Sequence, residues 1–151
     1  MSQITAHSIS ETQKLAVNFI HKITGPAVLG LVGALGSGKT HFTKGLAQGL
    51  KIKKHITSPT FVLLKIYPAP QNKKGIKNLI HVDCYRLGHE EELLALGWEE
   101  ILRKNDSLIV VEWADKIKSI MPQNTIWFNF RQGRGEEERI ISTKPQIQNP
   151  K

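Results

Sequence analysis

Sulfur is nearly missing from this chain, which has one cysteine, Cys84, and two methionines among its 151 residues. A lone thiol has no disulfide partner and makes no zinc site by itself, so stability has to come from packing. Aromatic residues are only 7% of the total, and no apolar run approaches the roughly 20 residues needed to cross a bilayer. The first residues, Met1 to His7, have neither the basic start nor the apolar stretch of a secretory leader. The expected address is therefore cytoplasmic, with no membrane partner. Acid is scarce as well: 13 Asp and Glu face 21 Lys and Arg, a net charge of +8 with a pI near 9.7. That balance admits a nucleic acid or an acidic partner at the surface, although solvated lysine faces give the same number.

What is present fits one globular domain, since a chain of this length buries most of the surface its unfolded form exposes. Residues 1–142 are expected to form that domain. Residues 143–151, containing proline and glutamine, read as a disordered tail. Ser10 is expected to cap a first helix over residues 11–23, whose Leu15, Ala16, Phe19, Ile20 and Ile23 recur at helical spacing. Ala27 to Val32 is a short continuous apolar run, as in a strand buried on both faces. A second helix runs from Thr40 to about Leu50. Strands at 61–67 and 78–83 flank a prolyl, polar spacer and predict an antiparallel hairpin. Short helical pieces at 90–96 and 99–102 meet at Gly97. Leu108 to Val111 is a buried strand ending at Glu112, and a strand at 125–130 is answered by one at 138–142. The expected fold is α/β: a mixed, mainly parallel sheet flanked by helices, with an antiparallel part.

Between the first strand and the second helix stands Gly33-Ala34-Leu35-Gly36-Ser37-Gly38-Lys39-Thr40. Burying a polyphosphate requires backbone N–H groups that approach without side chains in the way, and Gly33, Gly36 and Gly38 permit that. The helix that follows adds free N–H groups and the positive end of its dipole. Lys39 then serves the β and γ phosphates as a point charge, and the Thr40 hydroxyl can ligate Mg²⁺. A nucleotide site of this kind also uses a carboxylate at the end of a neighbouring strand. Asp83 and Glu112 both qualify, and periodicity alone does not rank them. No N-K-x-D segment supports guanine, so the expected ligand is ATP with Mg²⁺.

These residues, together with Ser58-Pro59-Thr60-Phe61, His81-Val82-Asp83-Cys84-Tyr85-Arg86-Leu87, Glu91-Glu92-Leu93, Leu96-Gly97 and Val111-Glu112-Trp113, resemble the bacterial TsaE (YjeE) family. Their order and spacing match from about residue 10 to 135. The resemblance implies a P-loop ATPase serving synthesis of the threonylcarbamoyladenosine modification in tRNA, docking on TsaD and TsaB and resetting their complex. It makes Glu112 the second Mg²⁺ position beside Thr40, and Asp83 the acid that orients water or the metal's outer shell. It implies that Thr60 senses the γ phosphate, that Trp113 stands near the nucleotide, and that Glu11 or Thr12, Asp115 and Gly133 line base and ribose. Leu35, Gly36, Ser37 and Gly38 complete the phosphate loop. Two departures, Cys84 where the family has an aliphatic residue and Ala114 where it often has proline, touch no ligand but loosen the turn that carries Asp115. Arg86 is either an internal arginine donor or a salt-bridge partner of Glu90 to Glu92. Two rival readings are a small P-loop kinase and a nucleotide-gated tRNA-binding module built on Lys51, Lys53, Lys54, His55, Lys73, Lys74 and Lys77.

Overall fold

The apolar runs at 27–33 and 107–112 form adjacent strands at the centre of a seven-stranded sheet. In the computed structural model, which describes residues 2–58 and 63–144, the elements are β1 (Ser2–Ala6), α1 (Ile9–Lys22), β2 (Ala27–Gly33), α2 (Lys39–Gly49), β3 (Leu64–Pro68), β4 (Asn78–Asp83), α3 (Glu90–Leu94), α4 (Trp98–Lys104), β5 (Ser107–Glu112), β6 (Ile126–Gln132) and β7 (Arg139–Lys144). A 3₁₀ segment, Ala114–Ile120, links β5 to β6. The strand order is β1-β7-β6-β2-β5-β4-β3. Pairings β2–β5, β2–β6 and β4–β5 are parallel, whereas β3–β4, β6–β7 and β1–β7 are antiparallel. The mixed α/β sheet expected from the sequence is found, parallel across its centre, β6-β2-β5-β4, and antiparallel towards both edges.

Strand alternation divides the core in two. Leu29, Leu31, Leu79, Leu108 and Val110 pack on Phe42, Leu46, Ala16 and Ile20 of α1 and α2. On the other face Ile80, Val82, Ile109 and Val111 pack on Leu93, Trp98, Ala114 and Ile117. The same parity puts His81 and Asp83 on the face of Leu79, and Glu112 on the face of Val110, the face that α2 covers. Helices α1 and α2 cross closely at Gly45, where an added Cβ would lie 2.3 Å from the Gln13 carbonyl oxygen and 2.7 Å from Ala16 Cβ. A backbone oxygen cannot swing aside. Gly45→Ala is therefore expected to lower unfolding free energy by about 1–3 kcal/mol. A denaturant titration giving a loss under about 0.5 kcal/mol, the range of a surface substitution, would show that the crossing is loose.

Four expectations change. Strand β1 was not anticipated: Ser2 to Thr5 are exposed, so neither face carries an apolar alternation, and the strand exists through its register with β7. The 3₁₀ segment was also missed, because its kink at Ile117 breaks the helical period. Ser8, not Ser10, caps α1; it has extended backbone angles and its Oγ accepts from Glu11 N. Strand β7 continues through Thr143 and Lys144, paired with Phe128 and Trp127, so those two residues belong to the sheet. Residues 145–151, the rest of the expected tail, lie outside the described residues, as do Pro59, Thr60, Phe61 and Val62.

Candidate functional site

Parallel strands end at a common edge, and a loop from β2 to α2 must turn there. Gly38, at φ 106°, caps α2 in the left-handed region without a side-chain hydrogen bond, so the first-turn N–H groups face outward for an anion. Gly33 is pressed against β6: a Cβ there would meet Phe130 O and Ser37 Oγ, each at 2.6 Å. Lys39 folds along this loop, its Nζ donating to Gly33 O at 2.6 Å and Ala34 O at 2.9 Å. The same ammonium lies 4.3 Å from the Trp113 ring centroid, a cation–π contact. Burial holds its pKa below the usual lysine range, against the opposing pull of Glu112, Asp83 and Asp115.

Asp83 and Glu112 are register partners at the ends of β4 and β5. Glu112, 3% exposed, accepts from Thr40 Oγ1 at 3.0 Å and meets His81 Nε2 at 2.7 Å. One carboxylate thus joins the first turn of α2 to the strand beside its own. His81 is fully buried and its Nδ1 has no partner among the described residues, which favours the tautomer that donates from Nε2 to Glu112. Asp83 accepts from Ser58 Oγ at 2.7 Å and from Tyr85 N at 2.9 Å, so both its oxygens are fixed. Cys84 points away, into the opposite core. Burial first, then the neighbouring Asp83 charge, pushes its thiol up to about 12. Iodoacetamide at mildly alkaline pH is expected to leave Cys84 of the folded chain unmodified and to alkylate it in denaturant. Labelling of the native chain at the rate of a free thiol would contradict this packing.

A cleft of about 440 Å³ gathers Leu35, Gly36, Gly38, Lys39, Thr40, Ser58, Asp83, Glu112 and Trp113. Ser37 is buried behind them with its Oγ 3.4 Å from Lys39 Nζ. Trp113 turns the chain at φ 61°, an uncommon angle for a bulky residue. Its N–H donates to Leu31 O at 3.0 Å, and Lys116 N bonds back to its carbonyl at 3.1 Å, so the turn before Asp115 is held without a proline. Asp115 itself is exposed and is felt by Lys39 through its charge.

Three expected nucleotide contacts are elsewhere. The Glu11 carboxylate accepts from His7 N at 2.8 Å in the α1 cap. Thr12 is on the buried face of α1, its hydroxyl without a partner among the described residues. Gly133 sits in the β6–β7 turn, its N–H bonded to Glu138 O. Thr60 falls outside the described residues. Arg86 is not among the residues bordering the cleft; Arg139 is, and it was not singled out in the sequence. Its Nη2 donates to Gly36 O at 2.9 Å across 103 residues of chain, and its stem lies over Gly38. Tyr85, its ring centroid 5.1 Å from that of Trp113, and His41 also line the cleft. Burial, with Lys44 and Arg139 nearby, keeps the His41 pKa low, so it is neutral at pH 7. His81 and Tyr85 belong to the 81–87 segment, but no local sequence pattern announces their partners.

The family described as "Threonylcarbamoyl adenosine biosynthesis protein TsaE" matches residues 6–141. The chain belongs to the TsaE family. A tRNA threonylcarbamoyladenosine biosynthesis protein TsaE from Treponema pallidum is 40% identical over 105 residues, 70% of this chain and 73% of that one. The protein of the same description from Rickettsia prowazekii is 36% identical over 128 residues, 84% of each chain. The crystal structure of Bacillus subtilis YdiB superposes with a TM-score of 0.72 at 28% identity, covering 96% of this chain and 85% of that one. The TsaE family is one of tRNA threonylcarbamoyladenosine biosynthesis, on a P-loop NTPase-like fold. Among the described residues no helix is long and apolar enough to cross a membrane.

Proposed function

We propose that the chain binds ATP with Mg²⁺ in this cleft and hydrolyses it, as the cytoplasmic ATPase that resets a TsaD/TsaB complex during formation of the threonylcarbamoyl group on tRNA adenosine. The observation that carries the reading is Glu112, whose carboxylate bonds Thr40 Oγ1 at the first turn of α2 while His81 fixes it from behind. The donor set fits the ligand. Free N–H groups at Gly38 to Thr40 and the Lys39 ammonium suit phosphate oxygens, and the hydroxyl and carboxylate of Thr40 and Glu112 suit a hard cation that prefers oxygen. Bound Mg²⁺ would neutralise charge on the transferring phosphate.

The chain's own residues supply the rest. Lys39 exchanges its bonds to Gly33 O and Ala34 O for phosphate oxygens. Asp83, pinned by Ser58 and Tyr85 N, orients the attacking water, and Trp113 with Tyr85 screens the Lys39 side of the cleft from solvent. Arg139 ties the loop to β7 at Gly36. Thr60, Asp115 and Gly133, with Glu11 or Thr12, remain proposed nucleotide contacts by family resemblance.

The test is phosphate release from ATP by the purified chain, alone and mixed with TsaD and TsaB of the same organism. The expected result is slow turnover alone and faster turnover on mixing, with no phosphorylated acceptor. If mixing changes nothing and a nucleoside or small acid becomes phosphorylated, the kinase reading replaces this one.

A further inference from the structure

The cleft occupies one edge of the sheet; lysines gather at the opposite edge. No Asp or Glu occurs between Glu11 and Asp83, a stretch with eleven lysines. Helix α2 starts at the cleft and ends at Gly49, so Lys51, Lys53 and Lys54 stand a helix length from the phosphate loop. Together with Ile52, Pro68, Pro70 and Gln71 they line a groove of about 380 Å³. Lys73 and Lys77 are exposed on the adjoining β3–β4 loop. Among the described residues no carboxylate lies within ion-pair distance of these five lysines.

The backbone beneath them is cross-tied. The Asn72 side-chain amide donates to Ala69 O and Ile76 O and its carbonyl accepts from Lys74 N. Lys74 Nζ reaches the end of α1, donating to Ile23 O at 2.8 Å, and is thereby taken out of the exposed set. Lys77 N donates to Asp106 O, and Ile52 N to Ala47 O. The groove is formed before any ligand arrives, so little ordering has to be paid on binding.

Lysine without arginine presents point charges that follow a phosphate chain without reading base edges. A protein partner would want a broad apolar centre to bury. The apolar floor here is three residues, Ile52, Pro68 and Pro70, rimmed by Lys51, Lys53 and Lys54, and none of the exposed large hydrophobics, Ile4, Leu35, Ile66, Tyr85 and Leu96, extends it. We infer that this edge binds the sugar-phosphate backbone of a structured RNA, at a site separate from the nucleotide cleft. The choice of tRNA as probe rests on family membership and not on ATP hydrolysis.

The experiment is fluorescence anisotropy of end-labelled, unfractionated tRNA titrated with the full chain at several KCl concentrations. Binding through about four phosphates gives a log–log salt slope of about −3, hence about a 60-fold loss between about 50 and about 200 mM KCl. Lys53→Glu with Lys54→Glu is expected to weaken binding at least tenfold. Lys118→Glu with Arg131→Glu, the same charge change at exposed positions outside the groove, is expected to cost less than about threefold. Thermal melts check that both pairs fold; should the first pair melt early, Lys53→Gln with Lys54→Gln takes its place, with about a threefold loss expected. Equal weakening by both charge reversals overturns the proposal, and so does polyglutamate of matched charge binding as tightly as tRNA, which would mark an acidic protein surface. Lys39→Ala keeps the two readings apart: it should leave tRNA binding unchanged while removing turnover, so either reading can fail alone.

Discussion

Lys39→Ala is expected to lower the rate of ATP hydrolysis by about 100-fold or more, the scale seen when one preorganised donor to developing charge is removed. Lys39 is the one basic residue of the 33–40 sequence, and its burial strips part of the ammonium's hydration and holds its pKa low. A charge desolvated in advance needs no reorganisation when phosphate arrives. The variant should still fold. The side chain's bonds to Gly33 O and Ala34 O are lost, but so is the cost of holding a charge there, and Gly33 is only half-buried and Ala34 exposed, so water can reach that stretch of backbone. A melt within a few degrees of wild type, together with lost turnover, is the expected pair of results. Turnover that survives in Lys39→Ala would move the chemistry away from this loop.

Glu112→Gln should be comparably severe, for a different reason. Glutamine keeps the shape and still accepts from Thr40 Oγ1, but it removes the negative charge proposed to hold Mg²⁺ beside that hydroxyl. Turnover is expected to fall by about 100-fold, with little recovery at raised Mg²⁺. Stability should drop as well, by about 1–3 kcal/mol. The amide nitrogen would face His81 Nε2, now 2.7 Å from the carboxylate. Two donors then oppose each other, or the imidazole changes tautomer and carries an N–H at Nδ1, which has no partner among the described residues, or the amide flips and Thr40 Oγ1 has to accept; in each case the charge-assisted bonds to the carboxylate are lost. Wild-type turnover with an unchanged Mg²⁺ dependence would assign the metal role elsewhere, Asp83 being the other strand-end acid.

Both predictions draw on features visible in the sequence, and the reason is that they are local. The phosphate loop is contiguous, its glycines and Lys39 are named by spacing, and the runs ending at Asp83 and Glu112 have the unbroken apolar character that burial on both faces requires. Parity then sends His81, Asp83 and Glu112 to the α2 side. What was not legible depends on pairings that only the assembled sheet creates. Strand β1 has no apolar period of its own and is stabilised by β7. Arg139 is brought to Gly36 because β7 lies beside β6, which lies beside β2, and nothing near residue 139 signals a phosphate loop 103 residues away. Ser8 and Ser10 both stand in reach of the same helix start, and backbone angles, not composition, decide for Ser8.

Calorimetric titration of ATP with Mg²⁺ into the wild-type chain and into Lys39→Ala is the most direct test of the central claim. One nucleotide bound per chain, weakened when Mg²⁺ is withheld and lost in the variant, is the predicted result. Binding of equal strength to both chains, or no binding to either, would contradict it.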